Sequence, residues 1–285
     1  MLIETLLKLY ARHFPFNQGK YRMVEGLWKK TVGSENRNRK TRLKAGGFTM
    51  DCDLNLVLQR QFYFFGTYFL EQENLACWAE YSKRAKVIFD VGANLGIYSL
   101  TSAAIHPKAR LFAFEPTAAI AAHLRRTLEH NHLNMITVVE KAVARTSGTA
   151  VLNLWGSKAE GNEGMNFVTQ EAVATDSVTI ETVSLDDFCK LQGIEQIDLL
   201  KIDIQGNEPE ALRGAERLLS EGRIRYIFTE LNWETDPQKP APAWEVVELL
   251  EKKGFLFASP TKNVVPKPAG EWLRGLSDVV AILPH

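Results

Sequence analysis

Val87-Ile88-Phe89-Asp90-Val91-Gly92-Ala93-Asn94-Leu95-Gly96-Ile97-Tyr98-Ser99-Leu100 decides the fold of this chain. A short apolar run rich in β-branched residues meets an acid and two glycines, and an apolar-periodic segment follows. That order predicts a strand, a tight turn and a helix N-terminus, the element with which α/β proteins hold a nucleotide-like cofactor. Gly92 and Gly96 stand in a G-x-x-x-G arrangement, not in the G-x-G-x-x-G of pyrophosphate-binding turns. An acid at the head of such a turn suits a ligand carrying positive charge and hydroxyls better than one carrying phosphates.

Leu111-Phe112-Ala113-Phe114-Glu115-Pro116 reads as a second buried strand ending in an acid, roughly twenty residues further on, where a βαβ unit places its ribose-binding carboxylate. A carboxylate there can accept hydrogen bonds from two vicinal hydroxyls. Pro116 stops the strand and turns the chain away. A glycine-containing turn alone is weak evidence, since many such turns are structural; the correctly spaced acid strengthens it.

The surrounding sequence alternates. Strands are expected at 87–91, 111–114, 136–139, 149–154, 179–183, 198–202 and 225–230, with helices near 96–106, 117–132, 184–191 and 208–220. A further helix at 243–253 and strands at 255–257 and 278–283 close the chain, the last two suiting an antiparallel hairpin at a sheet edge. Such alternation implies a doubly wound, mostly parallel α/β sheet with helices on both faces. Residues 1–83 lack this rhythm and read as an accessory segment, with a one-sided apolar helix over the first ten residues, a strand at 48–52 and an aromatic helical segment from Gln59 to Tyr81. This segment is expected to cap the main domain, residues 84–285, or to contact a substrate or partner.

Lysine plus arginine equals aspartate plus glutamate, 34 against 34, so overall charge gives no sign of a nucleic-acid partner. The basic stretch from Lys29 to Lys44 is the local exception. It reads as a solvated loop, with contact to a phosphate-bearing acceptor or a membrane surface as the competing reading. Cys52, Cys77 and Cys189 are odd in number and far apart, which argues against a disulfide framework and for a reducing, cytoplasmic setting. No stretch of eighteen apolar residues is present, so no transmembrane segment is expected, although peripheral contact is compatible with the sequence. The oligomeric state, a homodimer included, is not legible.

Ile197-Asp198-Leu199-Leu200-Lys201-Ile202-Asp203-Ile204-Gln205-Gly206-Asn207-Glu208 is the second informative stretch. Its strand ends at Asp203, on the edge where open α/β sheets place ligands. Glu208 and Glu210 open the next helix and have a full structural explanation in its dipole. Glu230 ends the following strand; it is either a site acid or a cap at the strand exit. No histidine has metal-ligand spacing with another donor, so no metal is expected. No G-x-S-x-G elbow supports a hydrolase. The polar segment from Trp155 to Thr175, with Asn162, Glu163 and Asn166, reads as either an acceptor-binding loop or a plain connection.

Phe89-Asp90-Val91-Gly92-Ala93-Asn94-Leu95-Gly96, Phe114-Glu115-Pro116, Val183-Ser184-Leu185-Asp186-Asp187-Phe188, Leu200-Lys201-Ile202-Asp203-Ile204-Gln205-Gly206 and Leu212-Arg213-Gly214-Ala215 together resemble the FkbM-type S-adenosylmethionine-dependent methyltransferases. The ordered set covers about residues 87 to 232. The resemblance implies a seven-stranded class I methyltransferase sheet, Rossmann-like, with the last strand antiparallel. It implies S-adenosylmethionine as methyl donor, with Asp90, Gly92, Asn94 and Gly96 at its methionine end, Glu115 and Pro116 at the ribose, and Lys141 and Ala142 beside the adenine. Gln205 departs from the family, which often has Glu there, and Asn207 stands where Ala is common.

A sulfonium methyl is already activated, so alignment and desolvation are the main needs. A hydroxyl acceptor must also lose its proton. Asp203, which also borders the cofactor, is the first candidate for orienting the acceptor or for the base, and Glu230 the second. The expected acceptor is a small molecule, a glycan or a lipid-linked sugar. Two competing readings are a nicotinamide-dependent oxidoreductase, against which the missing G-x-G-x-x-G counts, and a non-catalytic methyltransferase-like scaffold.

Overall fold

The structure, a computed structural model, describes residues 2–15, 17–31, 38–153, 167–169, 177–233, 242–260 and 265–284. These fall into two compact units, one running to Gln72 and the other starting at Glu73. The first contains α1 (Leu2–His13), α2 (Lys20–Thr31), an antiparallel pair β1 (Asn38–Arg42) and β2 (Thr49–Asp53), and α3 (Val57–Phe65). Two expectations are corrected here. Part of the basic stretch is the strand β1, not loop, because Thr41 and Leu43 alternate inward between exposed Lys and Arg. The aromatic segment from Gln59 is not one helix: Gly66, at φ 73°, ends α3 with its N–H donating to the Phe62 carbonyl. That left-handed stop favours glycine.

The second unit begins with α4 (Gln72–Ser82). The division thus falls earlier than the sequence boundary after residue 83, because α4 packs on the sheet. Trp78 Nε1 donates to Ser102 Oγ at 2.7 Å and to the Tyr98 carbonyl at 3.1 Å, and its ring meets Tyr98 and Phe228 edge-on.

The alternating sequence then gives β3 (Val87–Val91), α5 (Ile97–Ile105), β4 (Arg110–Phe114), α6 (Ala118–His130), β5 (Ile136–Val139), β6 (Ala142–Val143), β7 (Gly148–Asn153), β8 (Phe167–Thr169), β9 (Ser177–Val183), α7 (Leu185–Gln192), β10 (Ile197–Ile202), α8 (Glu208–Arg213), α9 (Glu216–Ser220), β11 (Ile224–Glu230), α10 (Pro242–Glu251), β12 (Leu256–Ala258) and β13 (Asp278–Ile282). The main sheet has seven strands in the order β12-β13-β11-β10-β3-β4-β5. The last strand, β13, is antiparallel to both β11 and β12, and the other neighbouring pairs are parallel. This is the α/β sheet that the sequence implied. The closing pair is the expected edge hairpin, with β13 inserted inside β12.

Strands 149–154 and 179–183, read as members of the same alternation, form a separate sheet in the order β6-β9-β7-β8. No helix follows β6 to return the chain to the main sheet, and β7 pairs with β9 antiparallel instead. The helix expected at 208–220 also divides. Gly214 passes so close to the Ala144 carbonyl that a Cβ there would lie 2.2 Å from its oxygen. The Asp186 carboxylate then accepts from the N–H groups of Arg217 and Leu218, opening α9 as a new helix. The core on the α7 side of the sheet is built on Phe89, Phe112 and Phe114, against which Phe188 sits edge-on. Burying each such ring is worth about 1.5–3 kcal/mol. Cys52, Cys77 and Cys189 are free thiols, and among the described residues no helix is long and apolar enough to cross a membrane.

Candidate active site

The parallel strands deliver their acids to one edge of the sheet. Asp90, on β3, is almost wholly buried, and its Oδ2 accepts from the Ser99 hydroxyl at 2.7 Å and the Ser99 N–H at 3.0 Å. This ties the strand to the first turn of α5. Between them, Gly92, Asn94 and Gly96 all take left-handed backbone, at φ 78°, 49° and 78°. Two of these positions also admit no side chain. A Cβ on Gly92 would lie 2.0 Å from the Asp203 carbonyl oxygen, and one on Gly96 would lie 2.5 Å from Leu124 Cδ1. The close approach at Gly92 locks the turn against the exit of β10.

Glu115 leaves β4 beside this turn. Its Oε2 accepts from the Asn94 N–H at 3.0 Å and its Oε1 from the Thr117 N–H at 2.9 Å. Pro116 lies between the two acceptor positions and directs the chain into α6. The carboxylate therefore clamps two turns together, and a carboxylate has more acceptor sites than these backbone bonds use. Burial pushes the carboxyl groups of both Asp90 and Glu115 above the usual carboxylate range, against the hydrogen bonds they accept.

Asp90 Oδ1 and Asn94 Oδ1 are buried and make no hydrogen bond among the described residues. Such an unsatisfied acceptor costs about 1–3 kcal/mol, and an ammonium or hydroxyl donor on a ligand would relieve it. The residues of this turn thus fit a cationic, hydroxyl-bearing ligand.

A second group of charges stands at the ends of β10 and β11. Lys201 and Asp203 are two residues apart and on one side of the chain, with Nζ 2.7 Å from Oδ2. Lys201 is also opposite Asp90 in the β10–β3 register, and its ammonium lies 4.5 Å from the centre of the Tyr98 ring. Gln205, at φ 55°, bridges the acids: its Nε2 is 3.2 Å from Asp203 Oδ1 and 3.3 Å from Glu230 Oε2. Asp278 faces Glu230 across the β11–β13 pairing. A small pocket opens among Tyr98, Lys201, Asp203, Thr229, Glu230 and Asp278.

Burial alone would raise the Asp203 carboxyl, but the Lys201 ammonium, aided by hydrogen bonds, holds it below the usual range. Glu230 goes the other way. Burial, then the charges of Asp203, Glu208 and Asp278, push it up to about 8. The two acids at the pocket are therefore split into one held ionised and one that titrates near neutrality, the pattern expected of acid–base sites.

The structure brings Asp90, Gly92, Asn94, Gly96, Glu115 and Pro116 into one cluster and Asp203 with Glu230 into an adjoining one. Lys141 and Ala142 follow β5, with their side chains turned to the second sheet. Lys141 Nζ is 2.7 Å from Glu181 Oε2 near the surface, and Ala142 packs with Leu152 and Ile180 in the second sheet. Trp155, Asn162, Glu163 and Asn166 lie outside the described residues. No group of three or more His, Cys, Asp or Glu side chains suited to a metal ion is found among the described residues.

Lys201 and Glu208 were not singled out as site residues by sequence. A lysine next to the end of a largely apolar buried strand, two positions before an acid, was the available signal for Lys201. Glu208 is fully buried; its Oε1 accepts from the Ile204 N–H at 2.9 Å, and its Oε2 has no hydrogen-bond partner among the described residues. It secures the loop that carries Asp203 and Gln205, beyond the helix-dipole role that its position suggested.

A family model described as the methyltransferase FkbM domain matches residues 90–257. The chain is similar to the 2-O-methyltransferase NoeI of Sinorhizobium fredii, at 28% identity over 175 residues that cover 58% of this chain and 70% of that protein. It is also similar to the hexuronic acid methyltransferase AglP of Haloferax volcanii, at 26% identity over 168 residues covering 59% of this chain and 65% of that protein. Among solved structures, an O-methyltransferase from Bacillus cereus in complex with SAH aligns with a TM-score of 0.42 and 11% identity, over 100% of this chain and 98% of that one.

Proposed function

The chain belongs to the methyltransferase FkbM domain family, and from that membership we propose an S-adenosylmethionine-dependent O-methyltransferase whose acceptor is an uncharged hydroxyl of a sugar-bearing molecule. The donor supplies a methyl group already activated by its sulfonium. Asp90 Oδ1 and Asn94 Oδ1, the buried acceptors without donors, would hold its ammonium end, and Glu115 would accept from its ribose hydroxyls. Lys141 and Ala142, which follow β5, would border the adenine, their side chains being engaged by the second sheet.

The observation that carries the acceptor reading is the Asp203–Gln205–Glu230 cluster locked beside the Asp90 turn. Asp203, kept ionised by Lys201, positions Glu230 through Gln205, and the Glu230 carboxylate would accept the hydrogen bond of the acceptor hydroxyl. That proton would pass to Glu230 as the oxygen–methyl bond forms and the bond from methyl to the sulfonium sulfur breaks, the sulfur leaving as a neutral thioether. Three further carboxyl groups, those of Asp203, Glu208 and Asp278, act on Glu230. Such a field repels an anionic acceptor and favours a neutral hydroxyl. The name of NoeI, a 2-O-methyltransferase, agrees with an oxygen acceptor; AglP is named for a hexuronic acid, a sugar bearing the negative charge that this field disfavours.

The test is transfer of a labelled methyl group from S-adenosylmethionine to a panel of neutral and acidic glycosides. A base-stable methyl ether on a neutral glycoside is expected. A base-labile ester, or no transfer to any glycoside, would overturn the acceptor reading.

A further inference from the structure

The charged side chains of α1 turn inward, while its Leu2, Leu6 and Leu9 face out. Glu4 accepts from Arg39 Nε at 2.9 Å and from the Tyr63 hydroxyl at 2.6 Å. Lys8 stands 3.9 Å from the centre of the Tyr63 ring. Arg12 donates to Thr41 Oγ1 at 2.7 Å and to the carbonyls of Arg42 and Tyr63. With Leu7 and Ala11 buried between them, these polar contacts fix which face of α1 docks on its unit.

The opposite face carries Leu2, Leu6 and Leu9, at the i, i+4, i+7 spacing of one helix face, flanked by Ile3. They are 75%, 55%, 51% and 51% exposed in the order Leu2, Leu6, Leu9, Ile3. Met23 and Leu27 on α2 are exposed as well, and Lys30 continues their face at i+7. An outward row of four large aliphatic side chains is more than the scattered apolar exposure of an ordinary surface.

Charge selects the occupant. The chain is neutral overall, yet residues 1–72 hold twelve lysines and arginines against six aspartates and glutamates, a net +6 balanced by −6 in the remainder. Arg22, Lys29, Lys30, Lys40, Arg42 and Lys44 are exposed. Glu4 and Glu25 are spent on Arg39 and Arg60, and Asp51 is the single exposed acid among the described residues of this unit. Two copies meeting through such a surface would bring like charge together. An anionic bilayer offers both what the leucines need and what the cations need.

We propose that the Leu2–Leu6–Leu9 face of α1 seats this unit on an anionic lipid surface, the aliphatic row entering the headgroup boundary and the exposed lysines and arginines meeting the lipid phosphates. The inference is independent of the methyl-transfer reading. It is tested by co-sedimentation of the full chain with vesicles of phosphatidylcholine alone or mixed with phosphatidylglycerol. The full chain is expected to sediment with the mixed vesicles, much less with phosphatidylcholine alone, and less as salt rises. Leu6→Glu with Leu9→Glu should lower the bound fraction by about 10-fold or more at an unchanged melting temperature, since both positions are solvent-facing. Lys29→Ala with Lys30→Ala should weaken binding to mixed vesicles only. No binding of the unmodified chain to mixed vesicles would overturn the proposal. So would equal binding by the Leu6→Glu, Leu9→Glu variant, or a dimer in sedimentation equilibrium that this variant dissolves, which would assign the face to a second copy.

Discussion

Lys201 Nζ lies 2.7 Å from Asp203 Oδ2, a buried ammonium holding a carboxylate at the exit of the central strand β10. The side chain of Lys201 is 8% exposed and that of Asp203 30%, so the pair opens toward the pocket from its acidic end. Lys201 also faces Asp90 across the β10–β3 register, and its charge opposes the rise that burial imposes on that acid. One cation thus acts on the Asp90 turn and on the acids of the pocket together.

Replacing that cation should separate chemistry from folding. Lys201→Met keeps an apolar stem of similar length in the sheet and removes the charge that keeps Asp203 ionised. The expected result is a fall in kcat on the order of 10- to 100-fold with a smaller change in acceptor KM. Steady-state kinetics at pH 7 checks it; an unchanged kcat would remove Lys201 from the account.

Glu230 predicts a pH profile. With its carboxyl raised to about 8, the ionised form that accepts a proton is the minor one at pH 7 and dominates above 8. Thus kcat/KM should climb through that pH, and Glu230→Gln should flatten the limb while lowering the high-pH rate by about 10²-fold or more. A variant that retains the limb would show that another group titrates there.

Gly92 is a packing constraint that no side chain satisfies. Gly92→Ala combines a left-handed backbone with a Cβ 2.0 Å from the Asp203 carbonyl oxygen. It should cost about 2 kcal/mol or more and lower the melting temperature by at least about 4 °C, with loss of S-adenosylhomocysteine binding. Gly193, at φ 60° with open space around it, is the control. Gly193→Ala should cost only the backbone strain, about 1 kcal/mol, and leave binding intact.

Glu208 predicts a change in the pH dependence of stability. Burial raises its folded carboxyl to about 7 from an ordinary 4.5. The folded state therefore keeps a proton that the unfolded chain releases first, and the stabilisation is fully present below pH 4.5 and lost as pH rises to 7. Glu208→Gln keeps an acceptor for the Ile204 N–H and carries no such proton. Denaturant unfolding should show the unmodified protein losing up to about 3 kcal/mol more than the variant across that window. Equal slopes would contradict the buried, protonated state.

The main strands were legible because their apolar runs end in acids or glycines: β3 is read residue for residue, and β10 and β11 to within one residue at each end. Asp90, Glu115 and Asp203 were legible for the same reason, as charges where a buried strand stops. What failed was anything decided by contact between distant segments. The break between α8 and α9 depends on the Ala144 carbonyl and the Asp186 carboxylate, neither of which a local helical period reveals. β7 and β9 share the composition of main-sheet strands, and only their antiparallel pairing sets them apart. The bridge from Gln205 to Glu230 needs two strand exits side by side, so a residue noted only for lacking the family's usual charge becomes the link between the two acids.

In the proposed function the Asp90 turn holds the methyl donor, and calorimetric titration of S-adenosylhomocysteine into the unmodified protein and into Asp90→Asn checks that role. The variant keeps oxygen and nitrogen atoms for Ser99 and removes the charge that the ligand ammonium requires. Micromolar binding by the unmodified protein, weakened about 10-fold or more by Asp90→Asn in a protein that still melts cooperatively, is the expected result. Absence of binding by the unmodified protein, or equal affinity in the two, would contradict it.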